Sequence, residues 1–145
     1  MIKTFIIVLF FSFLTSQDIF AKDSVVVSIT VIGFKNNEGV CRLLLYDNKK
    51  GFPESQKDAQ LMRSEKIRGG KAVFAFKIKS GDYAIAILHD ENANGKLDKT
   101  WFGRPTEGFG TSNNPKVGFS PPKFEESLIS IDNIKNEITI NLFYF

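Results

Sequence analysis

Sulfur chemistry is nearly absent from this chain, which has one cysteine in 145 residues. A single cysteine makes no internal disulfide, so stability must come from core packing. Cys41 stands in Val40-Cys41-Arg42-Leu43-Leu44-Leu45-Tyr46, on the same parity as Leu43 and Leu45. That position predicts a buried thiol behaving as a small hydrophobe. Histidine is equally scarce, and one His with one Cys is too few for a zinc site. No Gly-x-Ser-x-Gly elbow occurs, and the glycines lack the Gly-Lys-Ser/Thr of a phosphate loop. No block of five or six Lys/Arg accompanies the net charge of +3. Nucleic acid is therefore not an implied partner, while acidic envelope surfaces stay open. Internal repeats and low-complexity linkers are also missing.

The chain lacks the run of about 20 apolar residues that a spanning helix needs. It has instead a shorter one near the start, Phe5-Ile6-Ile7-Val8-Leu9-Phe10-Phe11-Ser12-Phe13-Leu14, preceded by Lys3. A positive residue, about ten apolar residues and then polar ones is the layout of a secretory signal peptide. Ala21 supplies the small residue before cleavage, although Ile19 is bulkier than usual two positions earlier. No cysteine follows the run, so a lipid anchor is not expected. Residues 1–21 are read as the signal and 22–145 as one domain, exported to the periplasm or secreted, with no stable membrane span after cleavage. Removing 21 of 145 residues leaves 124, enough to bury roughly two-thirds of the extended surface. Lys3 and Asp18 leave together, so the net charge stays at +3.

Helical periodicity capped at both ends is missing too, and alternation dominates. Val25, Val27, Ile29 and Val31 alternate with smaller or polar residues, and Asn36-Asn37-Glu38-Gly39 then turns into Val40–Tyr46. Ala72, Phe74, Phe76 and Ile78 face opposite to Lys77 and Lys79. Ser80-Gly81-Asp82 leads from them into Tyr83–His89, and the two runs read as a hairpin. Phe124 with Leu128–Ile131, and Ile138 through Tyr144, read as further strands. Residues 51–68 are more polar, with a short helical turn expected around Pro53–Leu61. The pattern predicts an all-β, antiparallel two-sheet sandwich of about six to eight strands, immunoglobulin-like or prealbumin-like.

One segment has the chemistry of a site. In His89-Asp90-Glu91-Asn92-Ala93-Asn94-Gly95-Lys96-Leu97-Asp98, counting from Asp90, oxygen side chains fall at positions one, three, five and nine, with glycine at six. Such spacing curls oxygens toward a hard cation, and Ca²⁺ takes six to eight of them. Asp90, Asn92, Asn94 and Asp98 are the candidate side-chain ligands, Lys96 offers its carbonyl, and Leu97 anchors the loop. Position twelve is Trp101 instead of the bidentate Glu of an EF-hand. A carboxylate must come from elsewhere, Glu107 first and Glu91 second. The competing reading is a plain turn, since Asn94-Gly95 is the preferred pair of a two-residue hairpin. A calcium ion here would be structural more readily than catalytic.

His89 continues the face of Ile85 and Ile87 and reads as a strand-end histidine satisfied locally. A hydrolase using His89, Asp90 and Glu107 is the catalytic alternative. Trp101, Phe102 and Phe109 lie in a stretch rich in Gly and Asn, and either close one end of the core or form an exposed platform for a glycan or peptide. Core closure is the reading favoured for them, because long ordered loops need anchors. The ending Leu142-Phe143-Tyr144-Phe145 also resembles the last strand of a small outer-membrane barrel, though 124 residues barely supply eight spanning strands.

The stretch Gly81–Asp98, continued by Trp101-Phe102-Gly103-Arg104-Pro105-Thr106-Glu107-Gly108-Phe109-Gly110 and Pro121-Pro122-Lys123-Phe124-Glu125, resembles the bacterial domain-of-unknown-function family 2141. The likeness covers nearly all of the domain and implies a small exported β-sandwich of the prealbumin-like kind. It implies no particular activity. The expectation is a non-catalytic envelope or secreted binding module, its partner an envelope protein or a glycan.

Overall fold

The computed structural model describes residues 24–118 and 120–145; the expected signal at 1–21 lies outside them. The strands are β1 (Ser24–Ile32), β2 (Val40–Tyr46), β3 (Leu61–Glu65), β4 (Lys71–Lys79), β5 (Gly81–Asp90), β6 (Phe109–Thr111), β7 (Leu128–Ile131) and β8 (Glu137–Asn141). They form two sheets, one ordered β4-β1-β8 and one ordered β3-β2-β5-β6, with β7 also on β5. The architecture is the expected all-β two-sheet sandwich. The described strands form two sheets, linked at one side by a single Phe109–Phe143 bridge, and not the closed cylinder of a barrel, which removes the outer-membrane reading of these strands. Among the described residues no helix is long and apolar enough to cross a membrane.

Alternation sets the smaller sheet. Val27, Ile29 and Val31 of β1 are fully buried, as is Phe74 nearly so on β4, while the Lys71, Lys77 and Lys79 side of β4 faces outward. β1 and β4 pair antiparallel along their whole length, from Ser24 opposite Lys79 to Ile32 opposite Lys71. Fully burying one such Val, Ile or Phe side chain is worth about 1.5–3 kcal/mol. The core between the sheets is completed by Cys41, Leu43 and Leu45 of β2 and by Ile85 and Ile87 of β5. Cys41 is buried as expected, and desolvation, then the charge of Glu65, push its thiol up to about 12.

Three expectations need correcting. β4 and β5 are not a hairpin: β4 pairs with β1, and β5 pairs with β2 across the core. The physical reason is that β5 is apolar on both faces, so it takes a central place in a sheet covered on both sides, whereas β4 keeps a lysine face for water. The sandwich is not wholly antiparallel, since β8 runs parallel to β1, with Ile29 opposite Ile138. Phe124 belongs to a short helix, α1 (Phe124–Ser127), and not to a strand. The short helical turn expected in the polar 51–68 stretch is present as a 3₁₀ turn at Gln56–Asp58, and the edge strand β3, not expected, follows it.

Candidate functional site

The outer face of the larger sheet is where the fold leaves room. Tyr46 on β2 is covered there by Phe52, whose ring lies 5.3 Å from it, and Phe52 is covered in turn by Phe124 of α1 at 5.7 Å. The other half of that face, carrying Leu44, Ala86 and Leu88, is roofed only from the side. Residues 91–108, the excursion between β5 and β6, fold back beside it, and a cleft of about 780 Å³ remains. Two contacts latch the excursion to the segment after β2. Lys99 Nζ donates to both oxygens of Glu54, at 2.7 and 2.8 Å, and Gln56 Nε2 donates to the Gly95 carbonyl.

The first part of the excursion is the loop that begins at Asp90. It is not a two-residue hairpin turn. Asp90 is fully buried at the end of β5, and its carboxylate organises the loop from beneath. Oδ1 accepts from Asn94 N at 2.9 Å, while Oδ2 accepts from Gly95 N at 2.8 Å and from Arg42 Nε at 2.5 Å. Asn92 Oδ1 accepts from Asn94 N, and Asn94 Oδ1 accepts from Lys96 N. This ladder of side chains binding the backbone two residues ahead curls the chain, with Gly95 at φ 82 and Ala93 at φ 58 in the left-handed region. Asn92 and Asn94 both direct their amide nitrogens at Asp98, at 2.7 and 3.0 Å. Glu107, buried, ties the two ends together: Oε1 accepts from Glu91 N at 2.9 Å and Oε2 from Asp98 N at 3.0 Å. Glu91 itself turns away to Lys35 at 2.7 Å and to Asn36. Burial pushes its carboxyl up, but those two partners outweigh burial and hold it below the usual range.

The residues singled out by spacing thus do meet, in two tiers. Asn92, Asn94 and Asp98 converge above, and Asp90 with Glu107 holds the loop's N–H groups below. Asp90, Asp98 and Glu107 bring three negative charges, of which Arg42 offsets one, so the tiers carry the complement of a divalent cation. Asp90 Oδ1, Asp98 Oδ1 and both Glu107 oxygens each accept one hydrogen bond here and keep a second acceptor site. Among the described residues no three His, Cys, Asp or Glu side chains group closely enough to hold an ion alone. Neutral oxygens from Asn92, Asn94 and the Lys96 carbonyl must complete any shell, as they do in calcium loops. In charge the loop suits a hard divalent ion, but the Asn92 and Asn94 oxygens are turned to backbone N–H groups and their amide nitrogens to Asp98, so both side chains must rotate to serve as ligands.

His89 is not part of this arrangement. Adjacent strand residues point to opposite faces, so His89 faces the interior while Asp90 faces the loop. Its ring is fully buried, with Nδ1 2.7 Å from the Tyr144 hydroxyl, Nε2 2.9 Å from the Glu38 carbonyl, and Phe34 edge-on at 5.1 Å. The structure therefore does not bring His89, Asp90 and Glu107 together as a triad. Trp101 and Phe102 depart from the expected core closure. They sit at the tip of a small hairpin, closed by Gly103 N to Thr100 O at 2.9 Å and Thr100 N to Arg104 O at 2.8 Å. Trp101 is 95% exposed and Phe102 60%. Phe109 stays half-buried against Phe143 and Phe145.

Arg42 and the apolar outer face of β2 and β5 escaped the sequence reading. A signal for the face was present: Leu43-Leu44-Leu45 and Tyr83–Leu88 are continuously apolar instead of alternating, the mark of strands covered on both sides. With the loop and cleft described, a family model for an uncharacterized protein conserved in bacteria (DUF2141) matches residues 29–139. The chain belongs to this family. The DUF2141 match takes in the whole Asp90 loop, the aromatic hairpin and most of the cleft walls, so the site is part of the family's domain. No curated protein and no solved structure matches the chain.

Proposed function

We propose that this DUF2141 protein is a non-catalytic binding module of the bacterial envelope, exported by residues 1–21, that presents the Trp101–Phe102 hairpin to an envelope protein or glycan. The observation that carries the reading is the exposure of both rings on an ordered hairpin, since burying them would be worth several kcal/mol if the fold had a use for them in its core. Exposed aromatics on a rigid support are the usual anchors of recognition. A non-catalytic role agrees with the burial of the only histidine and the only cysteine, which leaves neither an imidazole base nor a thiol nucleophile at the surface. In this reading Ca²⁺ braces the loop beneath the hairpin, held by Asp98, Asn92, Asn94 and the Lys96 carbonyl with help from Asp90 and Glu107.

Binding of the mature protein to isolated bacterial envelopes tests the reading. Trp101→Ala/Phe102→Ala should lose at least about tenfold in affinity with its melting temperature unchanged, and equal binding by the two proteins would remove the hairpin from the proposal. Calcium is tested apart. At tenfold excess over its dissociation constant it adds about 1.4 kcal/mol, a rise of about 5 °C for a domain of this size, and Asp98→Asn should abolish that rise.

A further inference from the structure

We propose that the cleft over the larger sheet is a separate binding site for an amphipathic anion, a molecule with an apolar body and one carboxylate or comparable anionic head. Fold elements cover the Tyr46 half of that sheet's outer face with Phe52 and α1, while the Leu44 and Leu88 half stays open to the cleft. A volume of about 780 Å³ lies within the range of sites that enclose small organic ligands. Its floor is Leu44, Ala86 and Leu88, with Phe109 and Pro122 at the sides, which suits hydrocarbon and offers few fixed partners to a sugar.

The rim supplies the head-group chemistry. Four cationic side chains line the cleft, Arg42, Lys96, Lys99 and Arg104, against one side-chain carboxylate, Glu54. Glu54 is taken by Lys99 and Arg42 is committed through Nε to Asp90. No carboxylate among the described residues stands within ion-pairing distance of Lys96 or Arg104. Arg104 rests instead on the Phe145 ring, 5.3 Å from its centre. Two cations with no ion-pair partner among the described residues, beside an apolar floor, complement an anion that carries its own apolar surface, and neither a neutral hydrocarbon nor a free inorganic anion would use both features. The site borders the hairpin, since Phe102 and Arg104 line the cleft, but it does not use the exposed Trp101 ring.

The test uses the mature protein and two probes with the same aromatic body, 1-anilinonaphthalene-8-sulfonate and neutral N-phenyl-1-naphthylamine, with dodecanoate as competitor. The expected result is one anionic probe per protein, displaced by dodecanoate and weakened by added salt. Lys96→Glu/Arg104→Glu, two exposed positions that leave the core untouched, should weaken sulfonate and dodecanoate binding about tenfold or more and leave the neutral probe unchanged. Leu88→Gln serves as the floor control and should weaken both probes. Equal binding of the two probes with no effect of the charge reversal overturns the anionic assignment. Absence of binding by every probe overturns the site and leaves the hairpin reading standing.

Discussion

Replacing Arg42 by Met removes the one cation that pairs, among the described residues, with the fully buried Asp90 carboxylate. Asp90 then keeps two backbone donors, Asn94 N and Gly95 N, and loses its charge partner. Breaking a buried pair by removing one member costs about 3–5 kcal/mol. The Arg42 side chain is 22% exposed, so water reaches the vacated edge, and the loss falls nearer the 1.5–3 kcal/mol of a hydrogen bond to a charged group. A destabilisation of about 2–3 kcal/mol is expected, from a total of about 5–15 for a domain. Urea denaturation at neutral pH measures it, and Met preserves the apolar stem of Arg42, so the change is one of charge. Asp90→Asn should cost a similar amount, and the double variant should cost clearly less than the two combined, because one interaction is being removed twice. With Arg42 gone, Asp90 is also freed as a ligand, so calcium should stabilise Arg42→Met more than the parent. A loss below about 0.5 kcal/mol for Arg42→Met, or strictly additive variants, would refute the claim that Asp90 is organised by this pair.

Gly39 sits at φ 64, and a Cβ there would lie 2.0 Å from the Asp90 carbonyl oxygen; Gly39→Ala should therefore cost more than about 2 kcal/mol in thermal or urea unfolding. Cys41 should resist alkylating reagents at pH 8 until the protein unfolds, because its thiol is raised to about 12 by burial. Since the folded value lies above the ordinary one of about 8.5, that contribution to stability is complete below pH 8.5 and is lost as pH rises toward 12, which alkaline melts would reveal. Glu91 titrates the other way: its contribution is complete above about pH 4.3 and disappears as pH falls through its lowered folded value, so Glu91→Gln should flatten the acid limb of the stability curve. Trp101→Ala should change stability by less than about 0.5 kcal/mol, as expected for an exposed side chain, and a larger loss would return Trp101 to the core.

What could be read from residues alone was whatever depends on near neighbours. Alternation from Val25 to Val31 and from Ala72 to Ile78 gives strands with defined inner faces, and the oxygen spacing from Asp90 to Asp98 gives a curled polar loop. Partner choice was less legible, because it is settled by contacts distant in sequence. Ser80-Gly81-Asp82 reads locally as a hairpin turn, yet β1 offers β4 a full-length partner with matching apolar residues, and β5 needs cover on both faces. β8 lies parallel to β1 through a connection that no short-range signal describes. β3 was hidden because only Leu61 of its five residues is even half-buried. Arg42 lies 48 positions from Asp90, so the loop's internal cation was invisible in the loop's own sequence, as was the position of Glu107 across both loop ends.

In the proposed function Trp101, the only tryptophan in the chain, touches the envelope partner while the sandwich beneath it stays unchanged. Fluorine NMR of protein carrying 5-fluorotryptophan gives that position a single resonance. On addition of isolated envelopes the resonance should shift or broaden together with sedimentation of the protein, and a Cys41 alkylation control should show the fold intact. A resonance that keeps its free position while the protein sediments with envelopes would contradict the account, because binding would then use another surface.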